Sequence, residues 1–222
     1  MMKRSVLGCL AAIVAAIPAV GLAQSGAGDC DRQCLIGVAN SYIAAMVAHD
    51  PRKAPLANQF VLVENLKRTS TKEGLWSRIS GAPGEFQIYV PDPKAQQIGY
   101  IGVMQADGKP IQLGLRLKVQ NRKITEAEHV VVWSLREEVL KHFDKPMKAF
   151  GVPVPEEYRD SRGRLLKIAA DYYDALDENN GSLASFADDC VRFENGMQTA
   201  RNPAPSERSL FGSVGLGCAA QL

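Results

Sequence analysis

Apolar residues recur at spacings of three and four in the segment DRQCLIGVANSYIAAMVAHD, which begins at residue 31. Because an α-helix has 3.6 residues per turn, this spacing places them on one face and predicts an amphipathic helix. Asp29 or Asp31 can cap its first turn, and Pro51 ends it. The apolar face comprises Leu35, Val38, Tyr42, Ala45 and Met46.

The segments after this helix change to the alternating pattern of β-strands. We predict a strand in QFVLVEN, a short helix in STKEGLWSRIS capped by Ser70 or Thr71, and four further strands. These strands cover residues 84–90, 96–105, 111–120 and 122–133. Asp107-Gly108 and Asn121 are typical of tight hairpin turns. This order predicts an α+β fold, a curved antiparallel sheet with its helices on one face.

The opening pattern occurs a second time, shifted by 130 positions. Two unrelated amphipathic helices would share leucines, but not a tyrosine and a Glu-Asn pair in register, so we interpret the pattern as a duplicated domain. The identical pairs are Leu35/Leu165, Ala39/Ala169, Tyr42/Tyr172, Ala45/Ala175, Ala57/Ala187, Val61/Val191, Glu64/Glu194, Asn65/Asn195 and Thr69/Thr199.

The second copy reaches Leu222 where its second strand should begin. A helix and one strand cannot bury an apolar face alone. We therefore expect the partial copy to dock on the first domain, to be completed by a partner chain, or to belong to a truncated form of a longer protein, and we favour truncation. The expected layout is a signal peptide (1–23), a flexible segment (24–29), a first domain (30–135), a linker (136–163) and an incomplete second copy (164–222).

The first residues have the pattern of a secretory signal. Lys3 and Arg4 precede the apolar run VLGCLAAIVAAIPAVGL, and small residues at 21–23 predict cleavage after Ala23. The run is short for a membrane anchor. We therefore expect export to a periplasm or to the extracellular space.

Export places four cysteines in an oxidising compartment, which favours disulfides. Three pairings are open, and sequence separation favours Cys30 with Cys34 and Cys190 with Cys218. A metal site is the alternative, but no second Cys or His pair stands near enough to support it.

Composition excludes several classes of function. The chain is 46% hydrophobic and 23% charged, which is typical of globular proteins. Its formal charge of +2 is not concentrated in one stretch, which argues against nucleic-acid binding. Nucleotide, phosphate-loop, nucleophilic-serine and zinc-protease motifs are missing from the sequence, so we expect no cofactor and no metal.

Several phrases resemble one family of exported proteins. CDRQCLIGVANSYIAAMVAHDP, VLVEN, EGLW and LRLKVQNRKITEAEHVVV are similar to tandem SnoaL-like proteins of the nuclear transport factor 2-like superfamily. The resemblance runs from Cys30 to Leu222. Leu66 departs from it, because the family tends to have glycine after Glu-Asn.

The resemblance implies a cone-shaped sheet with helices on its concave side and an apolar pocket at its open end. Some relatives use this pocket for isomerisation, dehydration, cyclisation or epoxide hydrolysis, whereas others only bind ligands or partners. We therefore expect a domain that binds a small, largely apolar molecule; if it is catalytic, we expect cofactor-free acid–base chemistry such as isomerisation, dehydration or hydrolysis. The alternative is a non-catalytic ligand-binding or assembly module, with a homodimer through the sheet face or the incomplete second copy.

Two side chains are candidates for acid–base catalysis. Glu64 ends an apolar strand and recurs as Glu194, so it can act as a general base at the pocket mouth or simply cap the turn with Asn65. His129 lies in a strand and points away from Glu126 and Glu128, so any partner has to come from another strand.

Four further side chains are candidates for ligand contact. Tyr42 can present its hydroxyl, Asn65 adjoins Glu64, and Trp76 can cover the pocket. Arg116 can bind an anion if it faces inward, although the leucines that alternate with it favour the outer face.

Overall fold

A computed structural model of the chain describes residues 28–194, 197–200 and 216–222. The predicted signal peptide and residues 24–27 lie outside them. The α-helices are α1 (Arg32–Val47), α2 (Gly74–Arg78), α3 (Glu137–Leu140) and α4 (Arg162–Asp177). Short 3-10 helices are Pro51–Lys53, Lys148–Gly151, Glu156–Tyr158, Gly181–Leu183 and Ala219–Gln221. The strands are β1 (Leu56–Glu64), β2 (Lys67–Thr69), β3 (Ile79–Gly81), β4 (Gln87–Asp92), β5 (Gln97–Ala106), β6 (Lys109–Gln120), β7 (Lys123–Val132), β8 (Phe193–Glu194) and β9 (Met197–Gln198).

Seven strands form a single curled sheet in the order β2-β1-β7-β6-β5-β3, with β4 also paired to β5. The predicted α+β class is confirmed. The sheet is mixed and not purely antiparallel as predicted, because β1 runs parallel to β7. The parallel pair joins the first strand to the last, and no local pattern in the sequence reports such a long-range pairing.

The core lies between α1 and the inward face of this sheet. Alternation along β6 sends its apolar side chains to that face, as the sequence predicts, and its polar side chains to the other. The α1 residues predicted on the apolar face are all buried. Asp31 caps α1 by accepting a hydrogen bond from the backbone N–H of Cys34.

The element boundaries depart from the prediction in three places. Helix α2 begins at Gly74 with Glu73 at its N-cap, and not after Ser70 or Thr71. Strands β2 and β3 were not predicted, because three residues are too few for alternation to be recognised. The predicted hairpin turns occur, with positive φ at Asp107 and Gly108 and at Asn121 and Arg122.

Both predicted disulfides form. The Cα atoms of Cys30 and Cys34 are 5.1 Å apart, and those of Cys190 and Cys218 are 6.0 Å apart. These distances fall in the usual range for a disulfide. The first joins the chain before α1 to the first turn of that helix, and the second closes the region around β8 and β9.

Residues 136–163, predicted as a linker, contact the sheet domain at one end. Val139 of α3 and Phe143 are buried, and the Phe143 ring centroid lies 4.8 Å from that of Phe86. Within the described ranges, no helix is long and apolar enough to cross a membrane.

The elements after residue 160 follow the first ones at the same shift of 130 residues. Helix α4 and the 3-10 helix Gly181–Leu183 begin and end 130 positions after α1 and Pro51–Lys53. Ser161 caps α4 as Asp31 caps α1, and Asn179 repeats the positive φ of His49. The β8–β9 pairing of Glu194 with Met197 repeats the β1–β2 pairing of Glu64 with Lys67.

Candidate functional site

The parallel pairing of β1 and β7 brings the two predicted catalytic residues together. In this pairing Glu64 lies directly beside His129. Alternation along β7 sends His129 inward with Val131, and Glu128 outward. The sequence predicts the opposite directions but not which of the two faces inward. The partner that His129 needed from another strand is Glu64, whose carboxylate Oε2 lies 3.4 Å from His129 Nδ1.

The other ring nitrogen of His129 meets α1. Its Nε2 lies 2.9 Å from the Tyr42 hydroxyl, which also accepts a 2.9 Å hydrogen bond from Trp76 Nε1–H. Tyr42, Trp76 and His129 are at most 1% exposed. Glu64, Tyr42, Trp76 and His129 therefore form a continuous chain of hydrogen bonds through an apolar core, which we call the polar cluster.

One assignment of the protons satisfies every hydrogen bond of the polar cluster. Indole N–H can only donate, so the Tyr42 oxygen accepts from Trp76 and its own O–H is free to donate to His129 Nε2. His129 Nε2 is then an acceptor, and the ring proton sits on Nδ1, from which it is donated to Glu64. This assignment, made from the network, leaves every buried polar atom of the cluster with a partner.

Glu64 is the charged end of the polar cluster and the member nearest solvent, with 11% of its side chain exposed. Burial acts to raise its pKa, but hydrogen bonds from His129 and from the Leu75 N–H outweigh burial and lower the pKa below its usual value. Both bonds end on Oε2. Glu64 is therefore held ionised, and Oε1 remains as the acceptor.

Gly74 leaves the space that the Glu64 carboxylate occupies. A Cβ at Gly74 would lie 2.6 Å from Glu64 Oε1, and the residue has a φ of +56°, which favours glycine. The next residue, Leu75, supplies the N–H that bonds Oε2. The start of α2 thus fits directly against the carboxylate.

Tyr42 is held as a neutral hydroxyl. Burial raises its pKa, and the nearby charge of Glu64 adds to this effect, although the bond from Trp76 opposes it. The Trp76 ring packs edge-on against Tyr42 with centroids 5.4 Å apart. Behind it, His49 Nδ1 lies 2.8 Å from the Trp76 carbonyl oxygen. The tyrosine can therefore donate a proton in a hydrogen bond but is not a ready anion.

Asn65, a predicted ligand contact, bonds the backbone of β7. Its amide accepts from the Val131 N–H at 2.8 Å and donates to the Val131 carbonyl at 3.1 Å, and its own N–H donates to the His129 carbonyl. These bonds fix the register of β1 and β7 at the polar cluster. A ligand contact by Asn65 stays a prediction that would compete with them.

Arg116 lies on the outer face of the sheet, away from the polar cluster. Its guanidinium forms ion pairs of 2.8 Å with both Glu126 and Glu128. These carboxylates raise the pKa of Arg116 and are themselves held below their usual pKa. The outer placement is the one that the alternation of β6 favours, and an anion contact by Arg116 stays a prediction.

Sequence reasoning named the four members of the polar cluster but not their connection. It also missed Gly74 and Leu75, which fix Glu64. The signal that could have found Gly74 is the glycine in EGLW directly before an apolar pair, where a helix begins. The Tyr42–His129 contact joins residues 87 positions apart and leaves no local signal.

A separate cavity of about 300 Å³ lies beside β4. Its wall includes Arg32 at the start of α1, Ile88 and Tyr89 of β4, and Met147 and Phe150. None of its lining residues belongs to the polar cluster. It lies at the lower end of the size range of small-molecule sites.

Comparison with known proteins gives one partial family match. Residues 158–222, less than half of the chain, match a domain of unknown function, DUF8021. No curated protein matches the sequence.

Solved structures of nuclear transport factor 2-like (NTF2-like) type are among those similar to the chain. An NTF2-like protein from Burkholderia xenovorans LB400 has a TM-score of 0.36 at 12% identity over 45% of this chain and 90% of its own. BvnE pinacolase from Penicillium brevicompactum has a TM-score of 0.36 at 10% identity, over 45% of this chain and 84% of its own. AusH from Aspergillus nidulans has a TM-score of 0.38 at 10% identity, over 54% of this chain and 94% of its own. Because these scores are below 0.5, the fold assignment rests on the sheet and helices described above.

Proposed function

We propose that the first domain binds a small, largely apolar molecule next to Glu64 and performs cofactor-free acid–base chemistry on it. The reaction class is isomerisation, dehydration or hydrolysis. The observation that supports this proposal is the polar cluster, a hydrogen-bonded chain through an apolar core that ends at a partly exposed carboxylate. Such a chain is typical of acid–base sites, in which one group reacts and the other groups orient it.

The proposed roles follow from which atoms of the polar cluster carry protons. Glu64 Oε1 accepts a proton from the bound molecule, while Oε2 stays bonded to Leu75 N–H and His129. His129 holds the carboxylate in position and stabilises its charge. Tyr42 and Trp76 fix the tautomer of His129 and are positioning residues. The lowered pKa of Glu64 keeps the carboxylate ionised at neutral pH, and it also makes Glu64 a weaker base than a carboxylate whose pKa burial has raised.

The experiment begins with mass spectrometry of small molecules extracted from the purified mature protein. Wild type is compared with Glu64→Gln and with a control, Glu73→Gln, at an exposed glutamate that lies outside the polar cluster. We expect a molecule that co-purifies with wild type and the control and is depleted in Glu64→Gln. Equal recovery from all three proteins contradicts binding at Glu64.

Proton transfer is tested with the recovered molecule in D₂O. Wild type should incorporate deuterium at one carbon or convert the molecule, and Glu64→Gln should slow this by about 100-fold, the usual contribution of a positioned base. Binding without deuterium incorporation or turnover would support the second candidate below.

We also propose that the chain is exported as a duplicated protein, with the layout given above. Two disulfides are typical of proteins in oxidising compartments. The common shift of 130 residues in helix bounds, caps and strand pairing supports a second copy. N-terminal sequencing of the exported protein tests the cleavage after Ala23, and thiol titration of the unfolded, non-reduced protein should find no free thiol.

The second candidate is a non-catalytic ligand-binding or assembly module. Two observations favour it: the cavity beside β4 lies apart from the polar cluster, and the outer sheet face exposes Val90, Ile101, Val130 and Val132. The assembly form predicts a homodimer through this face. Sedimentation of wild type and of Val130→Lys tests this homodimer. A charge in that face would dissociate the dimer, so the variant should sediment as a monomer.

A further inference from the structure

One wall of the cavity beside β4 comes from the segment that the sequence predicts as a linker. Met147 and Phe150 of this segment line the cavity together with Ile88 and Tyr89 of β4. Among the described strands, β4 pairs with β5 alone and so lies at an edge of the sheet. Met147 is 45% exposed and Phe150 is 57% exposed. An apolar ligand between the sheet edge and the linker would remove this surface from water.

Two contacts hold the linker against the sheet directly before the cavity. The buried ring of Phe143 packs edge-on against that of Phe86, with centroids 4.8 Å apart. Lys145 forms a 3.0 Å ion pair with Glu85. Because these contacts adjoin Pro146, where the linker begins to line the cavity, the fold itself positions this wall.

The polar side chains that β4 contributes to the lining have partners within the protein. The Tyr89 hydroxyl lies 2.7 Å from Asn40 Oδ1 and 2.8 Å from Gln87 Oε1. Gln87 Nε2–H donates to the Gly84 carbonyl at 2.8 Å. Neither Tyr89 nor Gln87 therefore needs a ligand to satisfy it.

Two positive charges at the same cavity have no such partner. Arg32, the first residue of α1, and Lys148 both line the cavity and are exposed. In the part of the chain that the structure describes, neither side chain forms an ion pair or a hydrogen bond. Two neighbouring carboxylates are engaged elsewhere, since Asp31 caps α1 and Glu85 pairs with Lys145. The groups of the lining that lack a partner are therefore positively charged donors.

We propose that this cavity binds a small carboxylate with an apolar body. The carboxylate accepts charged hydrogen bonds from Arg32 and Lys148, and the apolar body packs against Ile88, Met147 and Phe150. A hydrophilic anion would leave the apolar wall in contact with water. The volume of about 300 Å³ limits the occupant to a small molecule. Such binding rests on the ligand-binding role proposed above as the second candidate, and it is independent of proton transfer at Glu64.

Binding is tested with octanoate, and with octanamide and acetate as matched probes. Octanamide keeps the apolar body without the charge, whereas acetate keeps the charge without the body. Nuclear magnetic resonance of isotope-labelled isoleucine and methionine methyl groups follows each titration, because Ile88 and Met147 both line the cavity. We expect octanoate to shift both methyl signals and to bind about tenfold more tightly than either matched probe. Equal affinity for octanamide, or unchanged Ile88 and Met147 signals at millimolar octanoate, overturns the proposal.

Two variants that remove a charge locate the carboxylate. Arg32→Gln and Lys148→Gln should each weaken octanoate binding by about fivefold, the usual scale of a partly exposed charge pair. Both should bind octanamide as wild type does, which also shows that they are folded. The control is Lys53→Gln, at an exposed lysine beyond the other end of α1 and outside the lining, and it should change neither affinity. Equal weakening by Lys53→Gln would indicate an effect of net charge and contradict the site.

Glu64→Gln separates this cavity from the polar cluster. Octanoate should shift the Ile88 and Met147 signals equally in wild type and in Glu64→Gln, and this result stands even if no proton transfer is found at Glu64. Octanoate binding that is lost in Glu64→Gln but kept in Arg32→Gln would place the probe at the polar cluster. That outcome contradicts the cavity site and leaves the proposal for Glu64 intact.

Discussion

Helices α1 and α4 have the same length, side-chain N-caps at equivalent positions and the same apolar spacing, yet the first is buried and the second is exposed. Their backbones even end alike, with positive φ at His49 and Asn179. The difference lies in the sheet, which is present over α1 and missing over α4 in the described residues. The two helices thus share their local pattern, whereas burial depends on distant strands.

The largest effect that tests this comparison is expected from a matched pair of leucine variants. Leu35→Ala should lower the free energy of unfolding by about 2–5 kcal/mol, because it leaves a cavity in a packed core. Leu165→Ala should lower it by less than about 0.5 kcal/mol, since its side chain is half exposed. Urea unfolding followed by the fluorescence of Trp76 and Trp133 measures both. A comparable loss from Leu165→Ala would show that α4 is covered.

The tyrosine pair tests the polar cluster. Tyr42→Phe removes the hydroxyl that joins Trp76 to His129, and should cost about 1–3 kcal/mol because buried polar atoms lose their partner. Tyr172→Phe should cost almost nothing, since its equivalent cluster is incomplete. The same urea titration measures both variants. An unchanged Tyr42→Phe would show that the cluster contributes little to stability.

Glu64→Gln tests the charge at the end of the polar cluster. At pH 7 we expect a loss of about 1–2 kcal/mol, because hydrogen bonds to an ionised carboxylate are lost. Folding lowers the pKa of Glu64, so its charge stabilises the folded chain above the unfolded pKa of about 4.3, and this contribution is lost as the pH falls through the folded pKa. The difference between wild type and Glu64→Gln should therefore shrink below about pH 4.

The control for this pH dependence is Glu194→Gln. Its ion pair with Arg192 is partly exposed, so its removal should cost less than about 1 kcal/mol at pH 7. Urea unfolding at several pH values compares the two variants. A constant difference between wild type and Glu64→Gln down to pH 3 would contradict the proposed charge state.

The smallest expected effect concerns the helix caps, where the two regions should behave alike. Asp31→Ala and Ser161→Ala each remove a side-chain cap and should weaken the first turn of their helix by about 1 kcal/mol. Hydrogen exchange in that turn measures the change in each helix separately. Strongly unequal effects would show that the caps are coupled to the tertiary contacts that differ between the regions.

Much of the fold follows from local patterns. The period of the apolar residues predicts α1 and strands β4 to β7, and Asp107-Gly108 predicts a hairpin through the positive φ that it permits. Strands β2 and β3 are too short to show a period. The start of α2 at Gly74 depends on Glu64, which lies ten positions earlier and occupies the space that a side chain at Gly74 would need.

The residues of the candidate site could be predicted from the sequence, but the hydrogen bonds between them could not. Glu64 stood out because it ends a strand and recurs. His129 stood out because alternation turns it away from Glu126 and Glu128, so that its partner has to come from another strand. Their contact needs β1 beside β7 in parallel register, and the contact with Tyr42 needs α1 across that sheet. Each pairing spans more than sixty residues and depends on long-range packing.

The sequence by itself determined α1, the longer strands and the hairpin turns, and it favoured the two disulfide pairings, because each of these depends on residues that are close along the chain. The tertiary structure decided which strands are neighbours, which of two similar helices is buried, and that Glu64, His129, Tyr42 and Trp76 are connected. The physical reason is that burial and buried hydrogen bonds depend on what a side chain meets across the fold. Helix α4 has the apolar spacing of a core helix, and it stays largely exposed in the described residues.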